Sequence, residues 1–202
     1  RYFYNNASRG EFMDGFVCGP SGQGYTMPNF RPDRRAYAEQ TNAAIGRAHM
    51  KVVSILDSDG SLSNSAEMLE QPNVMGVFYK DYVPYNKFAG QIYWHEGKPC
   101  ISYRYLLWEA DGKPDWSIQG VADAISALPA DPVNDVNSYA LVNVHAWSWD
   151  SIGGPMDAIK QVIDKLPANT RVVTGDQFVT LLRNNFGTPV TENTAADHWT
   201  FY

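Results

Sequence analysis

The segment Lys51-Val52-Val53-Ser54-Ile55-Leu56-Asp57-Ser58-Asp59-Gly60 decides the fold class, because a short apolar run of strand length ends there in turn residues. The segment before it, Asp33 to His49, repeats apolar side chains at helical spacing behind Pro32 and predicts an amphipathic helix. The segment after it, Val74 to Tyr79, is again apolar and ends in Lys80-Asp81-Tyr82. Strands that alternate with amphipathic helices indicate an α/β protein with a parallel sheet covered by helices.

The rest of the chain continues this alternation with one departure. Residues 91–94 and 100–103 flank the turn-rich stretch His95 to Pro99, which predicts an inserted hairpin near residues 90–105. Apolar spacing predicts three further strands, at 15–18, 139–144 and 171–173. Apolar spacing and capping signals predict four further helices: a short one capped by Asn64 and Glu67, one from Ser117 to Pro129, one at 156–166, and a last one that begins with a Thr174/Gln177 capping box.

The length and composition indicate one globular domain over residues 1–202, since 44% of the residues are apolar and 13% are aromatic. A barrel of eight strand–helix units usually takes about 250 residues. The five or six units found here therefore predict an incomplete or irregular TIM-like (β/α) barrel, or an open sheet. The chain starts at Arg1 rather than at a methionine, and we expect it to be an excerpt of a longer one.

The net charge limits the classes of binding partner, and the two cysteines raise the question of a disulfide. The net charge of -6 leaves no basic footprint for nucleic acid or for an anionic membrane, and no apolar stretch approaches the roughly 18 residues of a membrane span. Cys18 and Cys100 both fall in predicted strands, where we expect free buried thiols; a disulfide between them is the alternative.

A glycine-rich run, Gly19-Pro20-Ser21-Gly22-Gln23-Gly24-Tyr25-Thr26-Met27-Pro28, follows the predicted first strand. Its glycines permit positive φ and a close approach to the main chain, so the run is either a tight connection or a loop against a ligand. It is neither a dinucleotide fingerprint, because Pro28 stands where a third glycine would open a helix, nor a P-loop, because no Lys-Ser/Thr pair follows. The sequence predicts no cofactor.

This run resembles the motif of the GxGYxYP family, whose C-terminal domain is described as a putative glycoside hydrolase. Gly22, Gly24, Tyr25 and Pro28 match the motif, and Met27 replaces its second tyrosine. The segments 143–147 and 173–178 are also similar to that family. The resemblance implies a TIM-like barrel of the glycoside hydrolase or deacetylase type that acts on an oligosaccharide or polysaccharide.

Candidate site residues follow the predicted strands, because ligands gather at the carboxyl ends of parallel strands. Glycoside hydrolysis needs two carboxyl groups about 5 to 9.5 Å apart. The candidates for catalysis, including one histidine as a base or positioning group, are Asp57, Asp59, Glu109, Asp150 and His145. The candidates for substrate binding are Tyr25, Gly24, Arg104, Trp108, Trp147 and Trp149.

Two other functions remain open at this point. A non-catalytic glycan-binding module would use the same cleft without a convergent carboxyl pair. A metal-dependent polysaccharide deacetylase would use an Asp with two histidines, and the four histidines show no pair at close spacing, so no metal site is predicted. The many aromatic residues and the low charge suit a secreted or periplasmic protein. The oligomeric state does not follow from the sequence.

Overall fold

The computed structural model describes residues 15–22, 24–82, 84–85, 87–110 and 112–187. The termini of the predicted single domain, residues 1–14 and 188–202, lie outside the described residues. The described helices are α1 (Arg34–Arg47), α2 (Ala66–Leu69), α3 (Ile118–Ser126), α4 (Pro155–Ile163) and α5 (Gly175–Phe186). The described strands are β1 (Val52–Asp57), β2 (Gly76–Asp81), β3 (Ile92–His95), β4 (Lys98–Ser102), β5 (Tyr105–Leu107) and β6 (Val142–Val144).

The described strands form two predominantly parallel sheets. The larger has the order β1-β2-β4-β3, with β1, β2 and β4 parallel, and the smaller pairs β5 with β6 in parallel. The chain passes from one sheet to the other within a single extended segment: Tyr103 N donates to Tyr79 O, and Arg104 N donates to Leu141 O. The α/β class is confirmed, but no closed barrel is present over the described residues.

The inserted hairpin is confirmed. Strands β3 and β4 pair antiparallel, with Trp94 opposite Pro99 and His95 opposite Lys98. Glu96 and Gly97 in the turn have φ values of 49° and 71°. Two consecutive positive φ values are the geometry of a tight two-residue hairpin turn whose twist matches that of the strands.

The larger sheet is covered on both faces. Val53, Val77 and Cys100 face one apolar cluster that includes Tyr37 and Ile45 of α1. Val52, Phe78 and Ile101 face a second cluster that includes Phe178, Val179 and Leu182 of α5. Helices α3 and α4 pack separately on the smaller sheet through Val121, Ala158 and Val162. This packing fixes the carboxyl ends of β1 and β2, where the candidate site lies.

Several predicted elements differ in the structure. Residues 171–173 form no strand, and Val172 is 60% exposed, because no neighbouring strand pairs with this stretch in the described part. The first predicted strand reduces to one parallel bridge between Cys18 and Val53, and the strand predicted at 139–144 shortens to β6. Asn64 caps no helix; Ser61 caps the short 3₁₀-helix Leu62–Ser65 instead. The predicted caps at Ser117 and Thr174 are confirmed.

Candidate functional site

Asp57, the last residue of β1, is fully buried and fully hydrogen-bonded. Its Oδ2 accepts from the Tyr79 hydroxyl at 2.8 Å, and its Oδ1 accepts from the backbone N–H of Asn29 at 2.8 Å and of Ser58 at 3.0 Å. Burial and this hydrogen bond to Asp57 raise the pKa of the Tyr79 phenol far above its usual range. The carboxylate therefore ties the glycine-rich segment and the loop after β1 to the sheet.

Asp81, the last residue of β2, lies beside Asp57 in the strand register. It is 1% exposed, and neither carboxylate oxygen has a hydrogen-bond partner among the described residues. Asp81 forms an ion pair with Lys87, whose Nζ lies 3.7 Å from Oδ2. A buried carboxylate without hydrogen bonds is costly and uncommon, so Asp81 is a candidate functional group. The sequence places Asp81 at a strand end, but no sequence pattern shows which carboxylate lacks partners.

Lys80 points to the opposite face of β2, since side chains alternate along a strand. Its Nζ donates to Asn143 Oδ1 at 2.7 Å and lies 4.7 Å from the centroid of the Tyr85 ring. Burial lowers the pKa of the Lys80 ammonium. No carboxylate of the described residues forms an ion pair with Lys80, whereas Arg34, Arg35 and Lys87 each have one.

His145 follows β6 and stacks on Trp108, with ring centroids 4.1 Å apart and an interplanar angle of 12°. Its Nδ1 shares a hydrogen bond of 2.7 Å with Ser148 Oγ. Burial and then the charge of Lys80 lower the pKa of the imidazole, which favours the neutral ring. His145 therefore lies within electrostatic range of Lys80, just after the end of β6.

The three candidate tryptophans have different surroundings. Trp108 is stacked on both faces, by His145 and by Trp116, whose centroid lies 5.5 Å away. Trp149 is 7% exposed, its indole N–H has no partner in the described part, and its backbone has a φ of 78°. Trp147 is 85% exposed and touches His145 edge-on at 5.7 Å. Trp147 alone among these three has a face open to a sugar ring.

The other predicted carboxylates lie on exposed segments. Glu109 accepts from the Trp149 backbone N–H at 2.9 Å and from Ser151 Oγ at 3.1 Å, and thereby fixes the loop after β6. Asp150 begins the 3₁₀-helix Asp150–Ile152 and is exposed. Asp59 is exposed on the loop after β1, with a φ of 52°. These three groups have water access, while the side chains of Asp57 and Asp81 are both buried.

The glycine-rich run is fixed along β1 by Ser21, which is fully buried. Its Oγ donates to Leu56 O at 2.9 Å and accepts from Leu56 N at 3.0 Å. Beyond it, Gly24 has a φ of 116° with open space around its Cα, and Tyr25 is 70% exposed. The run therefore presents a free tyrosine ring from an anchored loop.

The Arg104 guanidinium forms hydrogen bonds to backbone carbonyl groups of the protein itself. Its Nη1 donates to the carbonyl oxygens of Asn137 at 3.0 Å and Tyr139 at 3.4 Å, so the guanidinium holds the segment that leads into β6. Within the described part, no group of three or more His, Cys, Asp or Glu side chains is arranged to hold a metal ion. None of the helices described is both long and apolar enough to cross a membrane.

The sequence and the fold match known proteins. The family model for the GxGYxYP putative glycoside hydrolase C-terminal domain matches residues 1–183. No curated protein matches the chain. The chain is similar to the crystal structure of a putative hydrolase from Bacteroides thetaiotaomicron VPI-5482, with a TM-score of 0.80 and 32% identity over 93% of this chain. The match spans 36% of that protein's length. The chain belongs to the GxGYxYP family, in its putative glycoside hydrolase C-terminal domain.

Proposed function

We propose that this protein hydrolyses glycosidic bonds of an oligosaccharide or polysaccharide in a cleft at the carboxyl ends of β1, β2 and β6. The observation that carries the proposal is the buried, unbonded carboxylate of Asp81 at that edge. Polar groups in strained or unsatisfied environments concentrate at functional sites. The description of the family and the hydrolase that shares its fold support the reaction class.

Asp81 lies 3.7 Å from the Lys87 ammonium, and a carboxyl group at this position could serve as base or nucleophile. The second carboxyl group must be the acid and must reach the leaving oxygen. Asp59, Glu109 and Asp150 are the candidates. Asp59 is our first choice because it follows β1, whose last residue is paired with Asp81. Asp57 acts as a positioning residue for both loops.

The substrate side of the proposal rests on two exposed rings among the predicted binding residues. Tyr25 and Trp147 offer flat apolar faces of the kind that stack on sugar rings, and Gly24 leaves open space beside Tyr25. Trp108 and Trp149 shape the floor of the cleft. A larger irregular barrel in the longer protein and a secreted or periplasmic location belong to the same proposal.

The first test is the substitution Asp81→Asn in the intact protein, assayed on mixed polysaccharides with detection of new reducing ends. We expect a loss of turnover on the order of a hundredfold or more, because the amide can act neither as base nor as nucleophile. Asp59→Asn, Glu109→Gln and Asp150→Asn assayed in parallel identify the acid. Asp123→Asn on the exposed face of α3 is the matched control and should keep full activity. Unchanged turnover in Asp81→Asn would remove Asp81 from the mechanism.

The same screen distinguishes the alternatives. A glycan-binding module, which the exposed Trp147 also favours, would bind a polysaccharide and release no product. A polysaccharide deacetylase would release acetate and leave the chain length unchanged. Either result would replace the glycosidase proposal.

A further inference from the structure

We infer that Lys80 is the recognition group for a carboxylate on the substrate, so that the cleft selects an acidic sugar of the uronic acid class over its neutral counterpart. This inference rests on the proposed function and specifies its substrate. It depends on the surroundings of Lys80 and on the groups that lie beside it.

The Lys80 ammonium has fewer hydrogen-bond acceptors around it than it has N–H donors. An ammonium has three N–H donors, and the described residues supply one acceptor, Asn143 Oδ1, together with the face of the Tyr85 ring. A half-buried cation loses hydration, and that loss is offset fully only by an anion or by several acceptors. Lys80 forms no ion pair with any described carboxylate, so it has capacity for an external anion.

The charge of Lys80 also acts on His145, and burial together with this charge lowers the pKa of its imidazole. A protonated imidazole beside Lys80 would place two cations together, and the lowered pKa of His145 reflects burial and this repulsion. An anion bound at Lys80 would reverse the electrostatic part of that effect. The neutral ring can donate or accept a hydrogen bond to a sugar hydroxyl.

The surroundings of Lys80 favour a carboxylate over a phosphate as the bound anion. One lysine beside a neutral histidine supplies about one positive charge, which matches a monovalent carboxylate better than a phosphate dianion. Phosphates are more often held by bidentate arginines or by several backbone N–H groups at once. The surrounding surface is aromatic: Tyr85 lies under the ammonium, and the exposed face of Trp147 lies next to His145. An aromatic wall with one cation suits a pyranose ring that carries a carboxylate.

The test compares binding of oligogalacturonic acid with binding of its methyl ester, measured by titration calorimetry on the intact protein. The two ligands share the sugar backbone, and methylation replaces each carboxylate with an uncharged ester. We expect the wild-type protein to bind the acid at least tenfold more tightly than the ester, and Lys80→Met to abolish this preference. Lys113→Met is the matched control, because the Lys113 ammonium also lies over an aromatic ring, Trp116, at 5.3 Å, but on an exposed segment. It should keep the preference.

A second readout excludes a merely structural effect of the substitution. Binding of the acid, but not of the ester, should raise the pKa of His145 in an NMR titration, because a carboxylate at Lys80 stabilises the imidazolium. If Lys80→Met fails to fold, Lys80→Gln keeps a donor for Asn143 and removes the charge. A preference for the acid that persists without the Lys80 charge would overturn the inference, as would inorganic phosphate that binds at Lys80 in place of the sugar acid.

The outcomes also separate this inference from the proposed function. Equal binding of the acid and the ester, with turnover that depends on Asp81, would refute the acidic-sugar inference and leave the glycosidase proposal in place. Lys80-dependent binding of the acid without any turnover would support the inference and favour the binding-module alternative.

Discussion

Three charged side chains at the ends of β1 and β2 show that the partners of a buried charge decide its role. Asp57 and Asp81 are register neighbours with similar burial, yet Asp57 accepts hydrogen bonds from Tyr79, Asn29 and Ser58, while Asp81 accepts none from the part of the chain that the structure describes. The adjacent Lys80 points to the other face and meets one amide oxygen. Asp57 is therefore suited to hold loops, whereas Asp81 and Lys80 keep capacity for further polar partners beside Lys87 and Asn143.

Gly60 is the residue that tests the structural role of Asp57. A Cβ at this position would come closer than van der Waals contact to Asp57 Oδ2 and to the Tyr79 hydroxyl. The hydrogen bond between these two groups keeps either from moving away. We expect Gly60→Ala to lower the free energy of unfolding by about 1–3 kcal/mol, measured by urea denaturation. Gly19→Ala is the control, because its Cβ would lie 3.4 Å from Ser54 Cβ in ordinary contact. Equal unfolding midpoints for the two variants would contradict this packing.

At the scale of elements, the sequence predicted what depends on neighbours along the chain. Ser117 accepts from Gly120 N, and Thr174 with Gln177 forms a reciprocal capping box, as their spacing indicated. Asn64 has the same kind of signal but fails to cap, because its amide donates to Asn29 Oδ1 and faces Asp57. Local propensity gave way there to a contact across 35 residues.

In the candidate site, too, the sequence does not show contacts between residues that are far apart along the chain. The alternation of strands and helices placed Asp57, His145 and the 22–28 loop at the carboxyl ends of strands. Which carboxylate is free, however, depends on Asn29 and Tyr79, which lie 28 and 22 residues from Asp57 in sequence. Likewise, a tryptophan beside a strand end carries no sign that both of its faces are covered, as they are in Trp108.

The capping box of α5 gives a prediction for this element. Thr174 Oγ1 accepts from Gln177 N at 3.3 Å, and the Gln177 side chain accepts from Thr174 N at 3.2 Å. We expect Thr174→Ala to cost about 1 kcal/mol of the free energy of unfolding, measured by thermal and urea denaturation. Thr180→Ala on the same helix is the control: its exposed hydroxyl donates to Asp176 O within the helix and makes only a weak contact with Met75 Sδ at 3.8 Å, so its loss should be nearly neutral. A larger cost at Thr180 than at Thr174 would show that the box does not stabilise α5.

Over the whole molecule, the two sheets differ in how well they are covered. Strand β2 is buried on both faces and paired on both edges, by β1 and β4. The strands β5 and β6 have three residues each, and β6 is half-buried. An apolar groove of about 810 Å³ lies beside β6 between α3, α4 and α5, lined among others by Val142, Ile159 and Phe178. Its lining is mostly apolar but also includes polar side chains such as Ser126, Asn169 and Arg171.

This difference predicts that the molecule opens in two stages. Amides in β1, β2 and β4 should exchange with solvent only on global unfolding, whereas those of β5 and β6 should exchange through a smaller opening at least tenfold faster, because fewer apolar contacts hold them. Hydrogen exchange read by mass spectrometry measures both rates. Val77→Ala in fully buried β2 should accelerate exchange everywhere, since it lowers the stability of the whole fold. Val144→Ala in half-buried β6 should accelerate exchange only in β5, β6, α3 and α4. If Val144→Ala instead speeds exchange in β1 and β2 as much as Val77→Ala does, then the two sheets unfold as one cooperative unit.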